Sequence, residues 1–241
     1  MSSRRQNRPV SPARTAENGR YAAARGWTGI VFIATSLDGF IARGNNTIEW
    51  LTEPDTTVTH PGDAALTAGA VAAIPGARRR AAGPGEAAGD YAGLMARVDH
   101  LVMGRNTYET VAGFPEWPYP ETPVIVLSTS LPRDADARVT IAGSVAEATD
   151  LLSRARAGGV YIDGGQTVRA FLEEGLVDEL TVSRAPILLG SGLPLFGGGA
   201  PEQRLRLDAA ATGPNGLVHA RYTVLRDDAG AGRGSGATLR K

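Results

Sequence analysis

Three short segments of this 241-residue sequence carry residue types suited to holding phosphate groups. They are residues 103–109 (MGRNTYE), 128–130 (STS) and 162–167 (IDGGQT), and each follows an apolar run. Backbone N–H groups at a helix start attract anions, and a pair of glycines lets the backbone approach a pyrophosphate closely. Taken alone, each segment is also compatible with an ordinary polar turn. Their recurrence at several predicted strand ends favours a dinucleotide site.

The first of these segments also contains a cation. Arg105 can donate two parallel hydrogen bonds to a phosphate, and the hydroxyls of Thr107 and Ser128 can add further donors. We expect this cluster to hold the adenosine 2′-phosphate of NADPH, so that NADPH binds more tightly than NADH. The alternative is a solvent-exposed arginine in a plain turn.

Residues 34–42 (ATSLDGFIA) follow the first predicted strand. The dipeptide Asp38-Gly39 is typical of a turn, and a chemical role for Asp38 is the second interpretation. Phe40 and Ile41 are suited to forming a wall beside a nicotinamide ring, although apolar residues here are also typical of a core.

The composition argues against several classes of protein. Lys+Arg and Asp+Glu each number 25, whereas a nucleic-acid binder needs a basic field. The absence of cysteine excludes disulfides, thiolate nucleophiles and cysteine-ligated zinc. His60, His100 and His219 show no metal-ligand spacing, so we predict no metal. No apolar run is long enough to cross a bilayer and no signal peptide is evident, so we expect a cytoplasmic location.

Strand and helix patterns alternate along the chain. Apolar runs predict early strands, and a late segment of alternating polarity predicts an antiparallel strand. A capping box at Ser144 and Glu147 begins one predicted helix, which ends at Gly158, and a second covers about 166–174. The predicted strands are Gly29–Ala34, Val98–Met103, Pro123–Leu127, Gly159–Ile162, Asp178–Ser183 and Leu217–Leu225. This pattern predicts an α/β fold with a doubly wound, mostly parallel sheet and an antiparallel C-terminal strand pair.

Composition also sets the expected boundaries of the folded part. Residues 1–26 and 227–241 lack periodicity, and we interpret both as disordered tails around a domain at 27–226. Residues 56–90 are dominated by Ala, Gly and Pro. We interpret them as a flexible insertion, either a tolerated surface loop or a lid over the site.

Four segments together resemble the dihydrofolate reductase superfamily, and in particular its branch that contains the reductase domain of bacterial riboflavin biosynthesis and stand-alone relatives. They are ATSLDGFIA (34–42), VDHLVMGRNTYE (98–109), EWPYPETPVIVLS (116–128) and the long segment 160–196. The resemblance implies a dihydrofolate-reductase-like domain that binds NADPH, takes a small heterocyclic substrate and forms a homodimer.

The same resemblance assigns residues to the site. It places Ala34 and Ile41 beside the nicotinamide, and Ser36, Phe40 and Trp50 on the substrate side. The residues that it implies hold the rest of the cofactor are Gly104, Arg105, Asn106, Thr107, Ser128, Thr129, Gly164, Gly165, Gln166 and Thr167.

The chain also departs from the riboflavin branch. It has none of the cysteine ligands of the zinc deaminase domain, and residues 107–120 contain no arginine to hold a substrate phosphate. The leading interpretation is an NADPH-dependent reductase of a C=N or C=C bond in a pterin-like or other heterocycle. Two alternatives stay open: reduction of a ribosylated pyrimidine in riboflavin biosynthesis, and a nucleotide-binding module without turnover.

Reduction of a C=N bond also needs a proton, and the resemblance points to Asp55 as its donor. In dihydrofolate reductases an acidic residue follows an active-site tryptophan by five positions, as Asp55 follows Trp50 here. Glu49, Glu53 and Asp38 are alternatives. The competing interpretation is that Pro54-Asp55 is a turn that opens the insertion.

Overall fold

The computed structural model describes residues 25–52, 88–197, 202–213 and 216–226. These residues form ten strands and five helices. The strands are β1 (Thr28–Thr35), β2 (Phe40–Ala42), β3 (His100–Gly104), β4 (Val124–Leu127), β5 (Val139–Ala142), β6 (Gly159–Asp163), β7 (Glu179–Arg184), β8 (Leu193–Pro194), β9 (Arg204–Thr212) and β10 (Val218–Leu225). The helices are α1 (Glu49–Thr52), α2 (Tyr91–Met95), α3 (Arg105–Ala112), α4 (Val145–Ala155) and α5 (Gly165–Glu173).

Eight of the strands form one sheet in the order β5-β4-β3-β6-β1-β7-β10-β9. The strands from β5 to β7 are parallel to their neighbours, and β10 pairs antiparallel with both β7 and β9. The predicted α/β fold class, with its antiparallel C-terminal pair, is therefore confirmed. Strands β2 and β8 form a separate antiparallel pair.

Each face of the sheet carries its own apolar cluster, which explains why the central strands are apolar on both sides. On one face Val31 and Ile162 pack with Leu152 of α4 and Phe171 of α5. On the other face Phe32 packs among residues that include Leu94 of α2 and Tyr108 of α3. Helices on both faces make the sheet doubly wound. No described helix has the length and apolar character that a bilayer crossing requires.

The structure refines the predicted elements at several places. All six predicted strands are present with ends shifted by a few residues, and β2, β5, β8 and β9 come in addition. The short β5 carries only a four-residue signal, and β9 is largely exposed at the edge of the sheet. Helix α4 ends at Arg156, in the left-handed conformation with φ 55°, rather than at the predicted Gly158.

The packed domain extends beyond the predicted boundaries. Arg25, assigned to the N-terminal tail, forms an ion pair with Asp178. Ala88, assigned to the insertion, is 3% exposed, and the side chain of Asp90 accepts a hydrogen bond from Gly93 at the start of α2. The remainder of both predicted tails and of the predicted insertion lies outside the described residues.

Candidate active site

A cavity of about 650 Å³ lies at the carboxyl ends of the parallel strands, and we call it the edge cavity. Ligands of open α/β sheets bind at this edge, because the strand ends and the following helix starts converge there. All the residues predicted to bind the cofactor line it. They are Ala34, Ile41, Gly104, Arg105, Asn106, Thr107, Ser128, Thr129, Gly164, Gly165, Gln166 and Thr167.

Two helices begin at the edge cavity without a side-chain cap. Gly104 precedes α3 and Gly164 precedes α5, and neither residue can satisfy the first N–H groups of its helix. At α4, by contrast, the Ser144 hydroxyl accepts a hydrogen bond from Glu147. The uncapped N–H groups of α3 and α5 therefore remain available to an anion, and the helix dipole favours negative charge there.

The turns that precede α3 and α5 also pack directly against each other. A Cβ atom at Gly164, where φ is 87°, would lie 2.5 Å from the hydroxyl oxygen of Thr107. A Cβ atom at Gly104 would lie 2.9 Å from the hydroxyl oxygen of Thr167. A larger residue at either position would displace a threonine hydroxyl, so the glycines allow the two turns to pack this closely.

The β4 end of the edge cavity is polar and carries a cation. Arg105 Nη1 donates to Ser130 Oγ at 3.0 Å, and Ser130 Oγ lies 3.3 Å from Ser128 Oγ. Arg105 also faces Glu109 at 3.5 Å, but this pair is about half exposed, so it holds the arginine only weakly. A guanidinium beside two hydroxyls is suited to a phosphate group. The sequence analysis assigned Arg105 and Ser128 to one phosphate site, and the structure adds Ser130 to that site.

A buried carboxyl lies further along the same edge, at the end of β6. Asp163 is 4% exposed and lines the edge cavity. Its Oδ1 accepts a hydrogen bond from Gly164 N at 2.7 Å, and its Oδ2 has no partner among the described residues. Burial raises the pKa of Asp163 to about 6, because desolvation disfavours the charged form. The sequence pattern drew attention to the neighbouring glycine pair and not to this carboxyl.

Three tyrosines surround Asp163. Burial, followed by the charge of Asp163, raises the pKa of Tyr91, Tyr119 and Tyr161, so their hydroxyls stay protonated. Tyr161 donates to the Phe32 carbonyl at 2.9 Å, and the rings of Tyr91 and Tyr161 pack edge to face. A charged residue at the end of a fully buried strand was the available sequence signal for this cluster. The tyrosines come from distant segments that give no such signal.

The structure places Asp38 and Ser36, considered for a catalytic and a substrate role, in the turn after β1. Ser36 Oγ donates to Asp38 Oδ1 at 2.6 Å, and Asp38 also accepts from the backbone N–H groups of Leu189 and Gly190. The hydrogen bond from Ser36 lowers the pKa of Asp38, which makes Asp38 a poor proton donor. Neither residue lines the edge cavity. Both stabilise the turn after β1.

The other predicted substrate-side residues lie outside the cavity lining. Phe40 pairs with Pro194 between β2 and β8, and Trp50 lies on α1. Glu49 is exposed, and a hydrogen bond from Thr47 lowers the pKa of its carboxyl, so it too is unsuited to donate a proton. The roles predicted for Asp55 and Glu53 lie outside the described residues.

Several cavity-lining residues were not assigned from the sequence. Arg169 of α5 donates to the carbonyls of Pro194 at 2.7 Å and Leu195 at 3.1 Å, which ties the end of β8 to the helix. Asn46 and Ile48 line the cavity from the loop between β2 and α1. Such contacts depend on the tertiary fold, because these residues have no local pattern that separates them from an ordinary loop.

Comparison with known proteins agrees with this geometry. Residues 28–219 match the model of the RibD C-terminal domain. The chain is 30% identical over 181 residues to the uncharacterized Bacillus subtilis protein YwjB. The match covers 74% of this chain and 87% of that protein.

Solved structures extend the comparison. A protein of Shewanella sp. PV-4, described provisionally as a riboflavin biosynthesis protein, is 34% identical with a TM-score of 0.63, over 83% of this chain and 99% of that chain. Dihydrofolate reductase from Enterococcus faecalis, solved with NADP(H), is 16% identical with a TM-score of 0.51, over 85% and 99% of the two chains, and shows the shared fold alone. The chain therefore belongs to the RibD C-terminal domain family, and it shares the fold of dihydrofolate reductase.

Proposed function

We propose that this protein is an NADPH-dependent reductase that passes hydride to a C=N or C=C bond of a small heterocyclic substrate. One observation carries the proposal. A single cavity joins the Arg105 cluster, two uncapped helix starts and an apolar end formed by residues such as Ile33, Ala34 and Ile41. Phosphates need the first two features, and a hydride-donating ring needs the third.

The residues present fit this cofactor along the whole edge. The cavity lining runs from Ser144, which follows β5, to Ala34 of β1, and so crosses five adjacent parallel strands. At about 4.8 Å per strand this spans roughly 19 Å, which suits an extended dinucleotide. The 2′-phosphate would meet Arg105, Ser128 and Ser130, and the pyrophosphate would meet the starts of α3 and α5.

NADPH, when bound, would supply the hydride, and the protein would supply position and a dry site. Ile33, Ala34 and Ile41 give their end of the cavity an apolar lining, and a charge beside such a lining interacts more strongly than in bulk solvent. Arg169 donates hydrogen bonds to the carbonyls of Pro194 and Leu195 and so fixes the end of β8, which forms another part of the cavity wall.

Reduction of a phosphorylated ribosyl-pyrimidine, the riboflavin precursor, is the second candidate, and the Shewanella relative's description favours it. The site carries little to hold its phosphate. Among the described residues, the arginines that line the cavity are Arg105, assigned to the cofactor, and Arg169, which already donates to two carbonyls. A buried phosphate without a cation is costly, so we expect this precursor to be a poor substrate.

The experiment is a substrate screen with the full chain that follows NADPH absorbance. The panel contains dihydrofolate, other pterins, unphosphorylated heterocycles and the phosphorylated precursor. We expect steady NADPH oxidation with an unphosphorylated heterocycle and slow oxidation with the precursor. Efficient turnover of the precursor would favour the second candidate. Tight NADPH binding without oxidation across the panel would favour a nucleotide-binding module.

A further inference from the structure

A buried histidine outside the edge cavity has no role in the proposed reaction. His219 lies near the start of β10 and is buried. Its Nδ1 and Ser183 Oγ are hydrogen-bonded at 2.7 Å, while its Nε2 is buried without a partner among the described residues. Buried polar atoms nearly always have such a partner, so this ring calls for an explanation.

The backbone of Gly89 lies directly against the His219 ring. A Cβ atom at position 89 would lie 2.7 Å from Cδ2 of His219 and 2.8 Å from both its Cγ and its Nε2. The Gly89 carbonyl accepts a hydrogen bond from Tyr91 N at 3.1 Å, at the start of α2, and the neighbouring Ala88 is buried. The ring therefore forms the surface on which the entry to α2 packs.

Helix α2 in turn reaches the surroundings of the edge cavity. The centroid of the Tyr91 ring lies 5.5 Å from that of Phe32 and 6.3 Å from that of Tyr161, and both pairs pack edge to face. After burial, the charge of Asp163, which lines the cavity, also raises the pKa of Tyr91. The contact between His219 and Gly89 therefore supports a helix that packs behind the cavity.

The described residues offer no acceptor for a second N–H group on His219. A protonated ring carries two N–H groups, and Ser183 Oγ can accept only one of them, so the other would stay buried and unsatisfied. Burial lowers the pKa of His219, because desolvation disfavours the charged ring. The ionisable residues on the elements around the ring are Asp90, Tyr91 and Arg97 at α2, Glu179 and Arg184 on β7, Arg221 and Tyr222 on β10, and Arg204, Arg206 and Asp208 on β9.

We propose that His219 is an acid-sensitive anchor, which holds residues 88–90 and the start of α2 while its ring is neutral and releases them when the ring takes up a proton. The stabilisation by the neutral ring is complete above the ordinary histidine pKa of 6.5 and is lost as the pH falls below it, because the released ring binds the proton more readily. One proton is taken up per opening. The opening equilibrium should therefore rise by up to about tenfold per pH unit in that range.

Hydrogen exchange of the full chain, followed by mass spectrometry at about pH 8 and about pH 5, tests the anchor. After correction for the intrinsic effect of pH on exchange, the protection of residues 88–96 should fall by about tenfold, while β1 stays protected. His219→Asn cannot take up the proton and should show the same protection at both pH values. His100→Asn, the control, should behave like the parent. Protection of residues 88–96 that does not depend on pH in the parent, or the parental fall in His219→Asn, would overturn the proposal.

Two further measurements decide the question if His219→Asn does not fold. Gly89→Ala places a Cβ atom against the ring, so at about pH 8 it should already show the exchange that the parent shows at about pH 5. In NMR spectra of the parent, the ring signals of His219, assigned with His60→Asn and His100→Asn, should titrate below 6.5 together with the loss of protection. Parental protection in Gly89→Ala, or a His219 ring that titrates at or above 6.5, would contradict the anchor.

Discussion

Two aspartates at opposite ends of the same sheet differ sharply in their partners. Asp178, at the amino end of β7, accepts hydrogen bonds from Arg25 at 2.5 Å, from Gly29 N at 2.7 Å and from Arg226. Asp163, at the carboxyl end of β6, is more buried and accepts one hydrogen bond, from Gly164 N. One carboxyl is paired with two cations, and the other has no cation partner among the described residues.

The difference separates a carboxyl that holds the domain together from a buried one that lines the cavity. Asp178 forms ion pairs with Arg25, which precedes β1, and with Arg226, which follows β10. It therefore links the first and last segments of the domain to the amino end of the sheet. Both of its oxygens accept hydrogen bonds from within the domain. Asp163 lines the cavity, and one of its oxygens is buried without a partner among the described residues, which costs stability.

The largest effect on stability is expected from Asp178→Ala. The Arg25 side chain is 3% exposed, so removal of its partner leaves a buried cation and an unsatisfied Gly29 N–H. We expect a loss of about 2–4 kcal/mol in the free energy of unfolding, measured by denaturant titration. Glu179→Ala is the matched control, because it breaks the more exposed pair with Arg97 and should cost less than about 1 kcal/mol. Equal losses would remove the special role of Asp178.

Arg105→Ala tests the polar end of the edge cavity. Charge-assisted hydrogen bonds to a phosphate are worth about 1.5–3 kcal/mol, so NADPH affinity should fall by about one to two decades. NADH lacks the 2′-phosphate, and its affinity should hardly change. Arg154→Ala, on α4, serves as the control for loss of a positive charge. An equal loss for NADPH and NADH would show that Arg105 does not contact the 2′-phosphate.

Asp163→Asn should have the opposite effect on stability from Asp178→Ala. The folded-state pKa of about 6 exceeds the ordinary 3.8, so ionisation of Asp163 at neutral pH destabilises the folded state. The native carboxyl contributes its full stability below about pH 4 and loses it as the pH rises through about 6. We expect Asp163→Asn to gain about 1–3 kcal/mol near pH 8, with the gain disappearing near pH 4. A pH-independent difference in melting temperature would contradict this.

The smallest effect is expected from deletion of residues 57–86. This deletion leaves Asp163, Asp178 and the buried Ala88 in place. The sequence there lacks the periodicity of a core-forming segment, so the unfolding free energy should change by less than about 1 kcal/mol. Thermal unfolding and NADPH titration check this. A large drop in melting temperature would make the segment structural. Loss of turnover alone, with folding and NADPH binding intact, would support the lid.

Much of the fold and the cofactor side of the site follows from local sequence patterns. Apolar runs ending in Gly104 and in Gly164-Gly165 mark strand-to-helix turns, and parallel strands bring such turns to one edge. Burial does not follow from local patterns in the same way. Asp163 stands inside a segment that the sequence singled out, but it is buried, and the tyrosines with which it interacts, Tyr91 and Tyr119, are distant in the chain.

The turn after β1 shows the reverse case, an acidic residue that the sequence indicated as a candidate acid and that forms turn contacts in the structure. Asp38 has the residue type and the position of a catalytic acid, and its turn signal was equally visible in the sequence. The hydrogen bonds from Leu189 and Gly190, more than a hundred residues away in the chain, favour the role in the turn. Residue type suggests what a group can do, and long-range contacts determine what it does.

Calorimetric titration of NADPH and NADH into the full chain tests the central claim most directly. The uncapped starts of α3 and α5 and the Arg105 cluster predict one NADPH bound per chain, at least about tenfold more tightly than NADH. Equal affinities for the two cofactors, or no binding of NADPH, would contradict the account of the edge cavity.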